Sequence, residues 1–579
     1  MIIKEKNKIN GDLIEDIILR GGADIDFHMS PTSKHSLDIS FLNNIPLFEK
    51  AVKLLDKHIS REWFKLGLVM DNDLDGIMSA SLFVKAMQEI NVQVEILIDE
   101  GKTHGLTENL MKKIVEEDFA LVVVPDAGSN DTLQHKKLEE NNIDFLIIDH
   151  HEVEDKTETF INNSHNVVLN NQLLDINKEY TGVGMVFIFI KYFMFYKDIN
   201  INVDKYLDLV ALGAIGDVSN VADKEIRYYV TKGLNNVNNL FIKAVMERKG
   251  IKEMTGRDAS FSIISMINAV TRIGTVEEKQ ELFDAIVSDS TETTTVEVRK
   301  KNKSTGKFDK IPTEMTVHDI IVKKCESIKT KQDKIVKEAM KKVEYIHDNN
   351  VIIGLLDEDV PSSITGLIAM KVSDKHRKPV MIGKKYEDVL AGSLRAPGGL
   401  DFKGILTMSN LFNFASGHAS AAGWGINDSN LEELYKYLDE YDFSNNNIEY
   451  MVDKLYSKPI EYDIYTVEMD KHVFGGAIVY PTFGYKSIKF NKKCITTRGS
   501  VTTFFDNGVS FVLFNSPDNI QQEIENNLDD RGNLTIDIVG EPRINKFGNK
   551  EIPQIVIKDY EFLENYDIVE EENKFGIDF

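Results

Sequence analysis

Carboxylate and imidazole side chains, the groups that bind divalent metal ions, recur in four short segments of the sequence. The segments are Asp71-Asn-Asp73-Leu-Asp75-Gly76, the stretch that contains Asp126, Asp149-His150-His151, and the stretch that ends at Asp217. In the first segment the aspartates occupy alternate positions before a glycine that permits a sharp turn, so their oxygens can share one space. Carboxylates held so close together repel one another unless cations neutralise them. The pattern therefore predicts a centre that binds divalent metal ions.

The ligand types indicate which metals and which reaction such a centre supports. Mg²⁺ prefers carboxylates and water, whereas an imidazole such as His150 shifts the preference toward Mn²⁺. A calcium-binding EF-hand loop is a weaker interpretation, because its twelfth position requires glutamate and here holds Leu82. Two ions about 3.5–4 Å apart can stabilise both the attacking and the leaving oxygen of a displacement at phosphorus. We therefore expect hydrolysis of phosphodiester bonds with two divalent ions, Mn²⁺ being preferred and Mg²⁺ the alternative.

Short apolar runs alternate with helical patterns between residues 64 and 217, which is typical of a parallel sheet covered on both faces. The predicted strands are Leu66–Met70, Val92–Ile98, Phe119–Val124 and Ile143–Ile148. Three of them lead into one of the four segments, and the carboxyl ends of parallel strands meet at one edge of a sheet. Each aspartate alone could equally be a helix cap or a turn residue. Three strand ends and a histidine pair together favour a shared site.

Beyond residue 250 the sequence changes character several times. The patterns predict helices over residues 255–287, a basic surface hairpin or loop over Ser288–Ile311, and a lysine-rich helix over Val317–His347. This helix either presents a solvated face or lines a nucleic-acid groove. The α/β pattern then returns between Val351 and Trp424, which predicts a second, smaller α/β domain.

The overall composition limits the partners and compartments. The formal net charge of −25 repels a polyanion at long range, so nucleic-acid binding requires basic patches or metal ions to offset it. Cys325 and Cys494 are too few for a disulfide framework or a thiolate zinc site. The longest apolar stretch, Met185–Tyr196, is interrupted by Lys191 and is too short to span a bilayer. We expect a cytoplasmic, monomeric protein that does not bind membranes.

The four segments, taken in order, resemble the motifs of the DHH phosphoesterase superfamily, and specifically of its RecJ branch of single-strand DNA exonucleases. Asp71 stands where small-molecule members of the superfamily carry histidine. The resemblance implies one metal ion bound by Asp71, Asp73 and Asp126, and another bound by Asp75, Asp126, His150 and Asp217. Asp126 is then the bridging ligand. The same resemblance implies that His151 contacts the scissile phosphate and that Asp149 orients its neighbours.

Residues 392–395 and 416–423 resemble the DHHA1 domain that follows in this superfamily. The resemblance implies that Ser393, Arg395 and His418 contact the substrate, with His418 near the reacting phosphate. Arg395 suits this role because its guanidinium grips phosphate with a planar fork of donors. Taken without the motif, His418 reads as a packed turn histidine.

Two further substrate contacts follow from the resemblance to RecJ. Arg272 lies in a segment that resembles another RecJ element, and Lys102 is the basic residue before Gly105, where the family reads a 5′ phosphate.

RecJ proteins also carry an OB-fold, which agrees with the many short strands of residues 459–562, Phe474–Tyr480 among them. Such folds bind single strands through charge and stacking, and the basic residues available are Lys486, Lys489, Lys492, Lys493 and Arg498. The aromatic residues between them, Phe483, Tyr485 and Phe490, are better explained as core.

The predicted architecture is α/β with five regions. They are a parallel-sheet DHH phosphoesterase domain (1–250), a helical connector with a basic insertion (251–348), a smaller α/β DHHA1 domain (349–445), an OB-fold-like β-barrel (459–562) and an acidic tail (563–579). The expected function is 5′→3′ exonuclease activity on single-stranded DNA in recombination, repair or replication, with the tail as a docking peptide for a replication or repair protein. Two alternatives stay open: a DHH phosphodiesterase of short oligonucleotides or cyclic dinucleotides, and a non-catalytic replication scaffold.

Overall fold

The computed structural model describes residues 1–100, 104–153, 165–301, 308–397, 400–443, 449–476, 478–517, 519–547 and 550–563. These residues form two compact units. The first unit contains residues 21–337 and 473–479, and the second contains residues 1–20, 338–472 and the described residues from 480 onward. The five regions predicted from the sequence divide the chain more finely, and their boundaries remain a proposal.

Helices and strands alternate along most of the chain. The elements up to the long basic helix are β1 (Ile2–Glu5), α1 (Leu13–Arg20), α2 (Ile25–Met29), α3 (Pro46–Ile59), β2 (Leu66–Val69), α4 (Leu74–Glu89), β3 (Glu95–Leu97), α5 (Glu108–Glu116), β4 (Leu121–Pro125), α6 (Thr132–Glu140), β5 (Asp144–Asp149), β6 (Asn166–Asn170), α7 (Gly182–Tyr196), α8 (Leu207–Gly216), α9 (Lys224–Asn235), α10 (Leu240–Lys249), α11 (Gly256–Asp258), α12 (Ser265–Ile273), α13 (Val276–Val287), β7 (Thr293–Lys301), β8 (Phe308–Thr316) and α14 (Val317–Lys341). The remaining elements are β9 (Glu344–Asp348), β10 (Ile352–Leu355), α15 (Thr365–His376), β11 (Val380–Tyr386), β12 (Val389–Arg395), α16 (Phe402–Met408), β13 (Phe412–His418), β14 (Ala421–Asn427), α17 (Leu431–Glu440), β15 (Glu449–Val452), β16 (Lys454–Tyr456), α18 (Glu461–Met469), β17 (Phe483–Asn491), β18 (Ile495–Arg498), β19 (Val501–Asp506), β20 (Val509–Phe514), α19 (Ile520–Asn526), β21 (Asn533–Phe547) and β22 (Lys550–Phe562).

The first unit is built on a five-stranded sheet in the order β3-β2-β4-β5-β6, in which every neighbouring pair runs parallel. Every residue of β2, β4, β5 and β6 is buried, as expected when helices cover both faces of a parallel sheet. The predicted parallel α/β architecture is thus confirmed. The sequence pattern did not predict β6, because only three apolar residues stand between Asn166 and Asn170.

Helices α7 and α8 pack against α4, the helix that follows β2. Helix α7 is apolar on nearly all sides and is almost entirely buried, which is the usual place of such a helix in a globular fold. Among the described residues, none of the helices combines the length and apolar character needed to cross a membrane.

The basic region after α13 forms an antiparallel hairpin of β7 and β8, in agreement with the predicted surface hairpin or loop. The helix that follows was predicted to reach His347, and that prediction is wrong. Helix α14 ends at Lys341, and the residues after it form β9, which pairs with β10 at the edge of the next sheet. Strand pairing outweighs the helical propensity of this short segment.

The second unit contains a six-stranded mixed sheet in the order β13-β14-β12-β11-β10-β9. Strands β10 and β11 run parallel and the other neighbouring pairs run antiparallel. Trp424 on β14 is fully buried in the core that this sheet forms with α16 and α17. The second α/β region predicted from the sequence is therefore present.

The C-terminal strands form a sheet in the order β16-β17-β21-β22-β20-β19-β18, with α19 between β20 and β21. This topology is consistent with an OB-fold, and within the described residues its two end strands are not paired with each other. Phe483, Tyr485 and Phe490 are buried in its core, as predicted. The predicted basic residues are exposed: Lys486, Lys489, Lys492, Lys493 and Arg498.

The predicted strand Phe474–Tyr480 is wrong. Gly475 and Ile478 form an isolated bridge, and Gly475 and Gly476 have positive φ angles of 154° and 50°. A Cβ at residue 476 would lie 2.0 Å from the backbone oxygen of Ser219. The glycines therefore allow a turn that packs closely against the loop after α8 in the first unit.

Candidate metal centre

The segment Asp71–Gly76 contains the tight loop after β2 and the first residues of α4. Asp73 is the N-cap of α4, and its Oδ1 accepts a hydrogen bond from Gly76 N at 3.0 Å. A Cβ at residue 76 would lie 2.5 Å from Asp71 Cβ, so only glycine lets the helix begin this close to Asp71. Asp75 follows in the first turn of α4. The loop thus places three aspartates together where β2 ends.

His104 forms a group with Asp71 and Asp73, in which the ligand atoms lie within 4.8 Å of one another. His104 Nδ1 is 2.7 Å from Asp71 Oδ2, and Gly105 N donates a hydrogen bond to Asp71 Oδ1 at 3.2 Å. His104 is not among the ligands predicted from the sequence, because it follows its strand at a distance of several residues. His104 nevertheless follows the carboxyl end of β3. Ligands collect at the carboxyl ends of parallel strands, so this position is the signal that could have identified His104.

Asp75, His150 and Asp217 form a second group, and their ligand atoms also lie within 4.8 Å of one another. His150 Nε2 is 3.8 Å from Asp75 Oδ2 and 3.9 Å from Asp217 Oδ2. Gly182 N, at the start of α7, donates a hydrogen bond to Asp75 Oδ2 at 2.6 Å. Asp217 is the C-cap of α8 and is half-exposed, so this group opens to solvent on that side.

Asp126 interacts with members of both groups. Its Oδ1 lies 3.2 Å from His150 Nε2, and its carboxyl group lies close enough to Asp75 and Asp71 for their charges to act on it. No hydrogen bond reaches this buried oxygen from any described residue. A buried carboxylate oxygen without a donor is unfavourable unless a cation binds it. The arrangement therefore fits a metal ligand that the two groups share.

The ionisation of the carboxyl groups supports the same interpretation. Burial, followed by the charges of Asp217 and Asp73, raises the pKa of Asp75 to about 7. Burial and the neighbouring carboxylates raise the pKa of Asp126 well above its usual range, and burial is also the main reason that the pKa of Asp71 is raised. Their ionised forms are therefore disfavoured without added positive charge. Divalent ions would supply that charge.

Asp149 organises the histidine pair without joining the metal-binding groups. Its Oδ1 accepts hydrogen bonds from His150 N at 2.7 Å and His151 N at 3.1 Å, and lies 2.8 Å from His151 Nδ1. Its Oδ2 accepts a hydrogen bond from Ser129 N at 3.0 Å. Burial acts to raise the pKa of Asp149, but these hydrogen bonds outweigh it and hold the pKa well below its usual range.

The two histidines consequently differ in charge. The hydrogen bond to Asp149 raises the pKa of His151 to about 9, so His151 is a cation at neutral pH. Burial and the charge of His151 lower the pKa of His150 to about 4, so His150 is neutral. A neutral imidazole is the form that binds metal, whereas an imidazolium binds anions. The pair thus offers one metal ligand and one anion-binding group.

Two glycines bring α7 and α8 against the carboxylates. A Cβ at residue 182 would lie 2.1 Å from Asp126 Oδ1, and a Cβ at residue 213 would lie 2.3 Å from Asp75 Oδ1. Neither residue has a positive φ, so both positions require glycine for space. Sequence reasoning that looks for reactive side chains misses such residues, although Gly213 lies within the segment that ends at Asp217.

Among the described residues, the other predicted site residues are not members of these groups. Arg272 is half-buried in the last turn of α12, a helix that packs against α4. Lys102 lies outside the described residues. Ser393, Arg395 and His418 belong to the second unit.

In the second unit, Arg395 and His418 pair with Ala421 from the two sides of β14. Directly paired residues project from the same face, and strands are about 4.8 Å apart, so the backbones of the two residues are separated by roughly 10 Å. Ser393 lies on the same face, with its Oγ 3.0 Å from Thr365 Oγ1 at the start of α15. Arg395 is half-buried, and burial lowers its pKa. This face, the Ser393–Arg395–His418 face, combines a guanidinium, a hydroxyl and an imidazole, which are groups that bind phosphate.

Residues 65–214, from β2 into α8, match the model of the DHH family, N-terminal domain. The chain contains a DHH family domain. The two ligand groups lie in this domain and in the residues directly after it, where Asp217 follows α8.

Similarity to known proteins extends beyond that domain. The chain is 28% identical, over 96% of its length and 97% of the relative's, to a Bacillus subtilis protein described as SPbeta prophage-derived single-strand DNA-specific exonuclease YorK. It is 24% identical, over 70% of its length and 49% of the relative's, to single-stranded-DNA-specific exonuclease RecJ of Bacillus subtilis. The homology to RecJ-type exonucleases predicted from the motifs is confirmed.

A solved structure has a similar fold over most of the chain. RecJ from Thermus thermophilus, in complex with Mn²⁺, superposes with a TM-score of 0.67 at 16% identity, covering 97% of this chain and 80% of that one. At this identity the likeness establishes the shared fold.

Proposed function

We propose that the chain is a metal-dependent exonuclease that hydrolyses single-stranded DNA from the 5′ end. The proposal rests on one observation above all: two groups of potential metal ligands lie close to the buried Asp126, whose carboxyl group feels the charges of Asp71 and Asp73 in one group and of Asp75 in the other. The substrate class follows from relatives described as single-strand DNA-specific exonucleases, one of which matches nearly the whole chain. Recombination, repair or replication is the proposed setting, because these processes expose single strands.

The two groups would each hold one divalent ion. Asp71, Asp73 and His104 form one set of ligands, and Asp75, His150 and Asp217 form the other. Asp126 would contact both ions, since its Oδ1 lacks a hydrogen-bond donor among the described residues. Ions bound there would supply Lewis-acid stabilisation of the phosphoryl oxygens and lower the pKa of water. An imidazole in each set favours Mn²⁺ over Mg²⁺.

His151 is the residue that we assign to the scissile phosphate. Its Nδ1 faces Asp149, so its Nε2 is the nitrogen that can donate to a phosphate oxygen. Because its pKa is raised to about 9, it remains a cation at neutral pH and can stabilise negative charge that develops on that oxygen. Asp149 has the role of a positioning residue, which fixes both the orientation and the charge of His151.

We assign the Ser393–Arg395–His418 face to the binding of substrate phosphates. Its arginine is half-buried and presents a planar set of donors, which suits a phosphodiester better than a lysine would. Arg272 and the exposed lysines of the C-terminal sheet are proposed as further contacts with the strand. Lys102 and residues 564–579 lie outside the described residues, so the reading of a 5′ phosphate and the docking of a replication or repair protein remain predictions.

The proposal is tested with single strands of about 30 nucleotides labelled at the 5′ or the 3′ end, and with a dinucleotide. We expect early release of a labelled mononucleotide from the 5′ end in Mn²⁺, and no product in a chelator. Hydrolysis confined to the dinucleotide would contradict the exonuclease. A scaffold would hydrolyse nothing under either condition. Five of the six ligands predicted from the sequence lie in the two groups and the sixth, Asp126, lies beside them, which disfavours a scaffold.

A further inference from the structure

The hairpin of β7 and β8 is exposed along most of its length. Each strand has nine residues, so the hairpin extends roughly 30 Å at about 3.3 Å per residue. Met315, near its base, is the buried residue among those described in the hairpin. A two-stranded hairpin without further packing is only marginally stable in water. Its outer half therefore does little for the core and leaves its side chains available to a partner.

The register of the two strands separates the hairpin into two different faces. Residues that are directly opposite each other project from the same face. On one face Arg299 stands opposite Lys310, and Phe308 occupies the next position on that face toward the tip. The opposite face carries the apolar residues Val296, Val298 and Ile311. We call Arg299, Phe308 and Lys310 the hairpin surface.

The hairpin surface has the charge and the shape of a binding site for an anionic strand. Two cations that face each other destabilise a β-ladder unless an anion lies near both. Glu297 lies 2.9 Å from Lys310 Nζ, but both side chains are exposed, and such a pair contributes little. Phe308 is 66% exposed beside these cations. Exposed rings next to basic side chains are how proteins bind single strands, by base stacking and backbone charge.

The base of the hairpin is connected to the helices of the metal centre. Lys85 on α4 donates hydrogen bonds to Val287 O at 3.1 Å and to Asp289 Oδ1 at 2.7 Å, just before β7. On α13, the buried Lys279 donates to Asn72 Oδ1 in the metal-binding loop at 3.0 Å. Helix α4 therefore carries metal ligands at its start and supports the hairpin near its end.

We propose that the hairpin surface binds the single strand outside the metal centre, with Arg299 and Lys310 on phosphates and Phe308 against a base. The inference rests on the proposed function for its choice of partner. In a chain with a net charge of −25, a paired arginine and lysine on an exposed arm form a local positive patch that attracts a polyanion. The surface would engage only strands long enough to reach it from the metal centre.

The test compares the double variant Arg299→Gln, Lys310→Gln with a control of equal charge change, Lys331→Gln, Lys334→Gln on exposed positions of α14. Binding of a 30-nucleotide single strand is measured in a chelator over a range of salt concentrations, so that hydrolysis plays no part. We expect the hairpin variant to bind about tenfold more weakly at physiological salt, and its slope of log affinity against log salt to fall by about 1.4. The control should match the unmodified protein.

Phe308→Ala separates stacking from charge. We expect this variant to bind the 30-nucleotide strand several-fold more weakly with an unchanged salt slope, because stacking releases no counterions. In hydrolysis assays, KM for the long strand should rise in both hairpin variants while kcat and the turnover of a four-nucleotide strand stay the same. Circular dichroism checks that each variant remains folded.

Three results would overturn the inference. In the first, the hairpin variant and the α14 variant weaken binding of the long strand equally. In the second, folded hairpin variants bind the long strand as tightly as the unmodified protein. In the third, the hairpin variants lose binding to anionic lipid vesicles and keep full binding to the oligonucleotide. A failure of the proposed function looks different. An unmodified protein that hydrolyses no nucleic acid, but whose binding of the long strand still depends on Arg299 and Lys310, would disprove the exonuclease and leave this inference standing.

Discussion

The metal centre and the Ser393–Arg395–His418 face are both suited to anionic substrates, but they carry opposite charges. The metal centre buries carboxylates whose pKa values are raised, so it needs cations from solution. The face of the second unit carries its own cation on a half-buried arginine. A site that stores charge repulsion trades stability for function. Substitutions in the metal centre should therefore abolish activity and can stabilise the fold, whereas substitutions in the face should weaken substrate binding only.

The largest effect is expected from Asp126→Asn. Asp126 has a φ of 66°, which asparagine adopts readily and alanine does not, so asparagine is the appropriate replacement. We expect hydrolysis to fall by roughly 10⁴-fold, because charge on the shared ligand is lost. The metal-free variant should also unfold at a higher temperature than the metal-free parent at pH 8.

The pH dependence of that stabilisation follows from the raised pKa of Asp126. In the unfolded chain the group titrates near 3.9, so below about pH 4 it is protonated in both states and favours neither. As the pH rises toward the folded pKa, ionisation favours the unfolded chain and the parent loses stability. The unfolding temperature of the metal-free variant should thus exceed that of the metal-free parent by a small amount at pH 4 and by a larger amount at pH 8.

Asp144→Asn is the matched control, for which we expect the opposite change in stability. Burial acts to raise the pKa of Asp144, but hydrogen bonds from Lys57 and His58 outweigh it and lower the pKa. Its ionised form stabilises the folded protein above about pH 4, and this contribution is lost as the pH falls. The variant should be destabilised at pH 8 and keep its metal binding. Stabilisation of both variants, or of neither, would contradict the account of charge repulsion.

Gly182→Ala should cost roughly a hundredfold in activity. The added methyl group would lie 2.1 Å from Asp126 Oδ1 and must displace the carboxylate or α7. Gly184→Ala, two residues along the same helix, is the control, because its Cβ would meet only side-chain atoms of Tyr180 at 3.3 Å or more. Steady-state hydrolysis of a single strand checks both. Equal activity of the two variants would show that space at residue 182 is not critical.

His104→Ala should weaken Mn²⁺ binding by roughly thirtyfold, since one group would lose its imidazole. Activity should recover at saturating Mn²⁺. His165→Ala, which removes an exposed histidine that contacts Asp144 instead, should leave Mn²⁺ binding unchanged. Isothermal titration with Mn²⁺ measures both. An unaltered affinity in His104→Ala would remove this residue from the centre.

The smallest effect is expected from Arg395→Lys in the second unit. Lysine keeps the charge but loses the planar fork of donors, so kcat/KM for a single strand should fall by about tenfold. Mn²⁺ affinity and the unfolding temperature should not change. A loss of metal binding in this variant would contradict the division of roles between the two regions.

The sequence predicted the parts of the site that carry charge and follow strand ends. Asp71, Asp126 and Asp149 come at the end of a buried strand or within two residues of it, and the periodicity of those strands indicated a shared edge. It did not predict His104, which is seven residues beyond the end of β3 at Leu97. Whether such a residue joins the candidate site depends on contacts in the folded protein, which the spacing of residues in the sequence does not show.

The fold was predicted where local patterns are strong and missed where tertiary pairing decides. The parallel strands β2, β4 and β5 were found within a few residues of their observed bounds, because apolar runs mark them. Strand β9 was predicted as helix, since its pairing with β10 leaves no local signal. Gly182 was missed for a related reason, because a requirement for space appears only when α7 meets Asp126.

The central claim is that two divalent ions share Asp126. Anomalous diffraction from crystals grown with Mn²⁺ tests it most directly. We predict two peaks, one beside Asp71, Asp73 and His104 and one beside Asp75, His150 and Asp217, with Asp126 contacting both. A single peak that does not involve Asp126, or no peak at the carboxyl edge of the sheet at saturating Mn²⁺, would contradict it.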